Sequence, residues 1–122
     1  MSKTILIVDD SASLRQVVNI ALTGAGYSVV EASDGKDALT KLDGRKVHLI
    51  ISDVNMPNMD GISFVKAAKQ MPLYKFTPVI MLTTEAGEAK MNEGKLAGVK
   101  AWVVKPFQPA QMLTAVSKLI LP

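Results

Sequence analysis

Five side chains suited to charge or phosphoryl chemistry stand at the ends of apolar runs. "TILIV" from Thr4 leads to Asp9 and Asp10, "VHLIIS" from Val47 to Asp53, "PVIML" from Pro78 to Thr83, and "AWVV" from Ala101 to Lys105. Three carboxylates gathered at one rim raise one another's pKa, and a bound cation relieves them. Oxygen ligands without Cys or His favour a hard ion, Mg2+ with Mn2+ as its substitute. The D-x-D-x-D-G loop with a downstream Glu that a calcium site would use is absent. A divalent ion, a lysine ammonium and a threonine hydroxyl set around a carboxylate are suited to holding a phosphoryl oxyanion. Asp53 is then the acceptor, because a carboxylate can attack phosphorus and form an acyl phosphate.

These groups meet only if the runs that carry them lie side by side and point the same way. The runs are continuous more than alternating, as expected of strands covered on both faces of a parallel sheet. A fifth run, "YSVVEA" from Tyr27, ends blandly in Ala32 and Ser33. Helical patterns separate the runs. Leu14, Val17, Val18, Ala21 and Leu22 form one apolar stripe on a helix starting near Ser11 or Ser13 and stopping at Gly24 to Gly26. A short helix is predicted over Asp34 to Leu42. Ile62, Val65, Ala68 and Met71 repeat behind an Asp60 N-cap, and Pro72 ends that helix. Ala86 to Ala97 reads as a loosely held helix with two glycines, and Pro109 opens a last amphipathic helix running to the chain end. The sum is (βα)5, a three-layer α/β sandwich, in which ligands bind outside the carboxyl ends of the strands.

The 122 residues suit one domain, 1–122. The content of 48% hydrophobic and 20% charged residues fits a folded globular chain without a bilayer-spanning run. No cysteine is present, which excludes disulfide scaffolds and thiolate metal sites. "MSKTILIVDD" enters a strand pattern with no signal-peptide series, so the expected location is cytoplasmic. Residues 1 to 60 hold eight acids and six bases, a sum of −2, whereas residues 61 to 122 hold three acids and eight bases, a sum of +5. The lysines are scattered without arginine clusters or interleaved aromatics, so nucleic acid is not an expected partner and membrane insertion is not expected.

The acidic pair in "VDDS", "SDVNMPNMDG" around Asp53, "MLTTE" and "VVKPF" stand in order along the whole chain. In this the chain resembles the receiver domains of two-component response regulators, and most of all the stand-alone, CheY-like chemotaxis regulators, since no effector domain follows the last helix. The resemblance implies a flavodoxin-like sheet of order 2-1-3-4-5. It implies that Asp9, Asp10, Asp53 and the backbone carbonyl of Asn55 hold the metal, Asp10 more directly than Asp9. Thr83 resembles the switch hydroxyl, Lys105 the phosphoryl-pairing lysine, and Pro106 the proline that usually follows a cis bond. Asn55 and Glu85 stand where the family tunes hydrolysis of the acyl phosphate. Trp102 departs from the family's usual Tyr or Phe switch aromatic; its indole donates a hydrogen bond but accepts none. Packing the flank of the last strand is its other role. Gly61 fits a turn that needs positive φ. Met56 and Met59 shield the acceptor loop or simply pack, and His48 reads as a strand-start residue.

The implied function is a monomeric, non-enzymatic phospho-acceptor. A sensor histidine kinase of a chemotaxis system supplies the phosphoryl group. The output partner, a flagellar motor switch or other protein, reads residues 86–120, and a phosphatase is a further partner. Two alternatives stand beside this reading. One is an intermediate carrier in a phosphorelay. The other is an aspartyl-nucleophile phosphohydrolase, which would want a second acid where Asn55 stands.

Overall fold

The computed structural model describes residues 3–83 and 97–120. Five parallel strands, β1 (Thr4–Val8), β2 (Ser28–Ala32), β3 (Leu49–Asp53), β4 (Val79–Thr83) and β5 (Ala101–Val104), form one sheet of order β2-β1-β3-β4-β5. The described helices are α1 (Ala12–Gly24), α2 (Gly35–Lys41), α3 (Gly61–Lys69) and α4 (Pro109–Leu119), with a 3-10 turn at Pro72–Tyr74.

Alternation along the strands divides the core. Leu6, Val8, Ile50, Val79 and Met81 face α2 and α3, where Ala38, Phe64, Val65 and Ala68 complete one cluster. Ile5, Ile7, Leu49, Ile51, Ile80 and Leu82 face α1 and α4, where Val18, Leu22, Met112 and Val116 complete the other. Both faces of β1, β3 and β4 are covered, which explains their unbroken apolar sequence. Each of these isoleucines and leucines stabilises the fold by about 2 kcal/mol through its removal from water. The edge strands β2 and β5 are only half-buried.

Local signals set the helix starts. Ser11 accepts from the Leu14 amide at 3.2 Å, Asp34 from the Asp37 amide at 2.8 Å, and Asp60 from the amides of Ile62 and Ser63 at 3.1 and 3.2 Å. At α4 the Gln111 side chain reaches back to the Gln108 amide at 2.8 Å, with Pro109 in the first turn. The helix ends at Leu119 and does not continue to the chain end, because Ile120 turns to extended φ and ψ of −96° and 105°.

Boundaries shift relative to the sequence reading, α3 ending at Lys69 with Met71 capping the 3-10 turn instead, and one residue changes role. β3 begins at Leu49 and not at Val47, and it ends at Asp53 as expected. His48 lies just before the strand, where its Nδ1 accepts from the Thr4 amide at 2.9 Å while its own amide donates to the Thr4 carbonyl at 2.8 Å. Gly61 does not occupy positive φ; the left-handed residue of the loop after β3 is Asn58, with φ of 67°. Gly61 is needed for a close approach, since a Cβ there would stand 1.9 Å from the Asp53 carbonyl oxygen. The expected helix over 86–97, apart from Ala97, and the expected role of Glu85 lie outside the described residues.

Candidate functional site

Parallel pairing in register carries the chemistry-bearing residues to one rim. Val8 lies beside Ser52, Asp53 beside Leu82, and Thr83 beside Val104. The chain therefore delivers Asp9, Asp53, Thr83 and Lys105 immediately at or beyond the ends of four adjacent strands. Asp9 and Asp53 are 1% and 8% exposed and Thr83 is 3% exposed, whereas Asp10 faces solvent.

The Lys105 ammonium bridges the two buried acids, 3.2 Å from Asp9 Oδ2 and 3.1 Å from Asp53 Oδ2. The remaining oxygens are also held. Asp9 Oδ1 accepts from the Ser11 amide at 2.8 Å, and Asp53 Oδ1 accepts from the Val54 amide at 2.8 Å. Arg15 donates to the Asp9 carbonyl and pairs with Glu31 at 3.0 Å, tying α1 and β2 to the acidic corner. Burial, with a contribution from the Asp53 charge, pushes the Asp9 carboxyl above its ordinary value despite Ser11 and Lys105. Burial pulls the Lys105 ammonium down, but the bond to Asp53 and the nearby Asp9 charge outweigh it and leave the lysine above its ordinary value.

One oxygen from each of Asp9, Asp10 and Asp53 falls within 4.8 Å of the others. This all-oxygen donor set, one member open to solvent, fits a hexacoordinate Mg2+ that keeps several waters, and would accept Mn2+ as well. Asn55 is exposed in the loop just after Asp53.

The Lys105–Pro106 peptide is cis, and the Lys105 amide donates to the Thr83 carbonyl at 2.7 Å, extending the β4–β5 ladder to the lysine itself. Trp102 pairs with Met81, two positions before the Thr83–Val104 pair, and packs half-buried against the cluster on the α2 and α3 face. Side chains alternate along a strand, so Thr83 and Trp102 share that face. Met56 and Met59 are half-buried and pack against the same cluster.

The sequence reading missed a second set of positioning contacts. Asp34, besides capping α2, accepts from Asn58 Nδ2 at 2.7 Å, and the Gly35 amide donates to the Met59 carbonyl at 3.3 Å. The Asp37 amide and the Asn58 side chain hold the Asp34 carboxyl below its ordinary value. The signal was present in Asn58, a residue type that tolerates left-handed backbone, but its partner 24 residues earlier was not legible.

Residues 5–117 match the response regulator receiver domain. The chain belongs to that family. It is 40% identical over 107 residues to the chemotaxis protein CheY1 of Helicobacter pylori strain ATCC 700392 / 26695, covering 86% of each chain. Among solved structures it is similar to the receiver-family protein CheY4, a chemotaxis response regulator of Vibrio cholerae, with 47% identity, a TM-score of 0.94 and coverage of 98% and 99% of the two chains. The receiver domain of a Pseudomonas aeruginosa PAO1 sensor histidine kinase is 25% identical with a TM-score of 0.89 over 98% of both chains, and its structure has a magnesium ion coordinated in the active site cleft. The chain is thus a CheY-like receiver domain, related by descent to chemotaxis proteins and to signalling regulators that are not enzymes of the ordinary kind. No described helix is long and apolar enough to cross a membrane.

Proposed function

We propose that this receiver domain accepts a phosphoryl group on Asp53 from the phosphohistidine of a sensor kinase and switches partner binding in chemotaxis signalling. The observation that carries the reading is the Lys105 ammonium 3.1 Å from Asp53 Oδ2, beside carboxylates of Asp9 and Asp10 gathered within 4.8 Å. Likeness to CheY1 and CheY4 supports the chemotaxis setting.

The Val54 amide and Lys105 hold the two Asp53 oxygens, which fixes the plane of the carboxylate before donor arrives. An Asp53 oxygen then forms the O–P bond as the N–P bond of the phosphohistidine breaks. The donor imidazole leaves with the electron pair and takes up a proton. Lys105, already charged, faces the negative charge of the transferring oxygens without needing to be recruited from solvent. A Mg2+ held by Asp9, Asp10, Asp53 and the Asn55 carbonyl would supply further neutralisation of that charge.

The new dianion draws the Thr83 hydroxyl, and Trp102 responds because it shares the Thr83 face of the sheet. The surface formed by residues 86–120 then changes its preference for the output protein. A nearly complete shift between two states requires about 5.5 kcal/mol of differential interaction, within reach of a buried dianion meeting a hydroxyl and an ammonium. Asn55 and Glu85 set how quickly water reaches the acyl phosphate, and a phosphatase partner would act there.

Transfer of 32P from an autophosphorylated histidine kinase tests the reading. Label is expected on the wild-type chain in Mg2+, none with chelator and none on Asp53→Asn; retained label on Asp53→Asn overturns the assignment.

A further inference from the structure

The end of the sheet opposite Asp53 carries a concave, apolar and basic surface that phosphorylation chemistry does not use. A cavity of about 440 Å3 opens there, lined by Lys46, His48, Leu73, Phe76 and Thr77 among others. Phe76 is 88% exposed and Leu73 59% exposed, two large apolar side chains left in water beside one hollow. Lys75 holds its ammonium 5.7 Å from the centre of the Phe76 ring. Lys3 and Lys46 both lie close enough to His48 to disfavour its protonation, and Lys69 donates to the Thr77 carbonyl on the cavity wall.

The net charge around this hollow is positive. The described acid among the loops at this end is Asp43, and Arg45 neutralises it through bonds of 3.0 and 3.1 Å. Helix dipoles account for a lysine in a last helical turn, as at Lys41 and Lys69. They do not account for Lys46 on the cavity wall, nor for a phenylalanine left exposed on that wall with the Lys75 ammonium over its ring. Apolar side chains at the rim of a hollow with unneutralised lysines match a ligand that brings both negative charge and an apolar side chain. A hollow admits a side chain, whereas a lipid surface is met better by a convex, projecting face.

We propose that this surface docks an acidic peptide segment of a partner protein, with an aromatic or large aliphatic side chain seated against Leu73 and Phe76 and carboxylates paired with Lys46 and Lys75. Docking here leaves the rim that carries Asp53 open, so the same molecule can be tethered and phosphorylated at once.

The test is amide chemical-shift titration of the full chain with a short synthetic peptide of glutamates around one central phenylalanine. Expected are saturable shifts confined to residues 44–48 and 73–78, weakening as salt is raised. The double variant Lys46→Glu, Lys75→Glu and the single variant Phe76→Ser should each bind about tenfold more weakly. Both alter exposed side chains, and an otherwise unchanged amide spectrum shows that the fold persists. Asp53→Asn should bind as the wild type does, which separates this surface from the phosphorylation reading. Equal binding of a peptide with glutamines in place of glutamates, shifts on another face, or saturation by phosphatidylglycerol vesicles but not by the peptide would each overturn the proposal, as would self-association through this patch without peptide.

Discussion

Asp34 Oδ2 accepts a 2.7 Å hydrogen bond from Asn58 Nδ2, fastening the start of α2 to the loop that follows β3. Asn58 is held there at φ of 67°, in a conformation that costs an ordinary side chain about 1–2 kcal/mol. Asn58→Ala should therefore lower stability by about 1 kcal/mol or more and slow labelling of Asp53 by a small phosphodonor, because the loop also carries Asn55. Asn58→Gly, free of the backbone penalty but lacking the bond, should be less destabilised. Urea unfolding of the two variants compares them directly; equal losses would mean that the left-handed backbone is not what Asn58 serves.

Gly61 belongs to the same loop and makes the reverse point about space. Its amide donates to the Val54 carbonyl at 2.8 Å, and the space a Cβ would need is taken by the Asp53 carbonyl. Backbone cannot yield as a flexible side chain does, so Gly61→Ala should cost about 1–3 kcal/mol and displace Asp53 from Lys105. Thermal unfolding and the labelling rate should fall together. A variant of wild-type stability and rate would show that the loop moves aside freely.

Crowding of Asp9, Asp10 and Asp53 predicts a metal-dependent stability. Asp10→Asn removes one negative charge without emptying a buried position, since Asp10 faces solvent. In chelator its thermal midpoint should rise by a few degrees, and added Mg2+ should then stabilise it far less than it stabilises the wild type. An identical Mg2+ response in both proteins would remove Asp10 from the ligand set.

His48 gives the pH dependence a specific source. Burial, followed by the charges of Lys3 and Lys46, holds its imidazole below the ordinary value of 6.5, and Nδ1 can accept from the Thr4 amide only when unprotonated. Between the folded and unfolded values the unfolded chain binds the extra proton, so stability rises with pH across that window. The His48 contribution is fully present above 6.5 and is lost as pH falls through the lower folded value. His48→Gln should flatten that part of the wild-type stability profile, and an NMR titration of the imidazole should find a midpoint below 6.5. A midpoint above it would reverse the sign.

Trp102 is the sole tryptophan and sits on the Thr83 face of the sheet, so its emission should report the switch. Acetyl phosphate with Mg2+ should change the fluorescence of the wild type and leave Asp53→Asn unchanged. A wild-type signal that persists in Thr83→Ala would show that Trp102 responds without the hydroxyl.

Much of this architecture was legible because its determinants are local. Unbroken apolar runs marked β1, β3 and β4, an Asp60 cap and the apolar stripe behind Ser11 or Ser13 marked helix starts, and the residues at strand ends marked one rim. Periodicity blurs at element edges, which is why β3 begins after His48 and why α4 stops at Leu119. Residue type by itself determined which chemistry the rim could support: acids for a hard cation, a lysine and a threonine for phosphoryl oxygens. Only the tertiary structure decided that Lys105 bridges Asp9 and Asp53, that Asp34 reaches Asn58, and that Gly61 is demanded by a neighbouring carbonyl and not by its own φ. Those relations join residues far apart in the chain, and their distances are set by strand register and helix packing, which no single segment encodes.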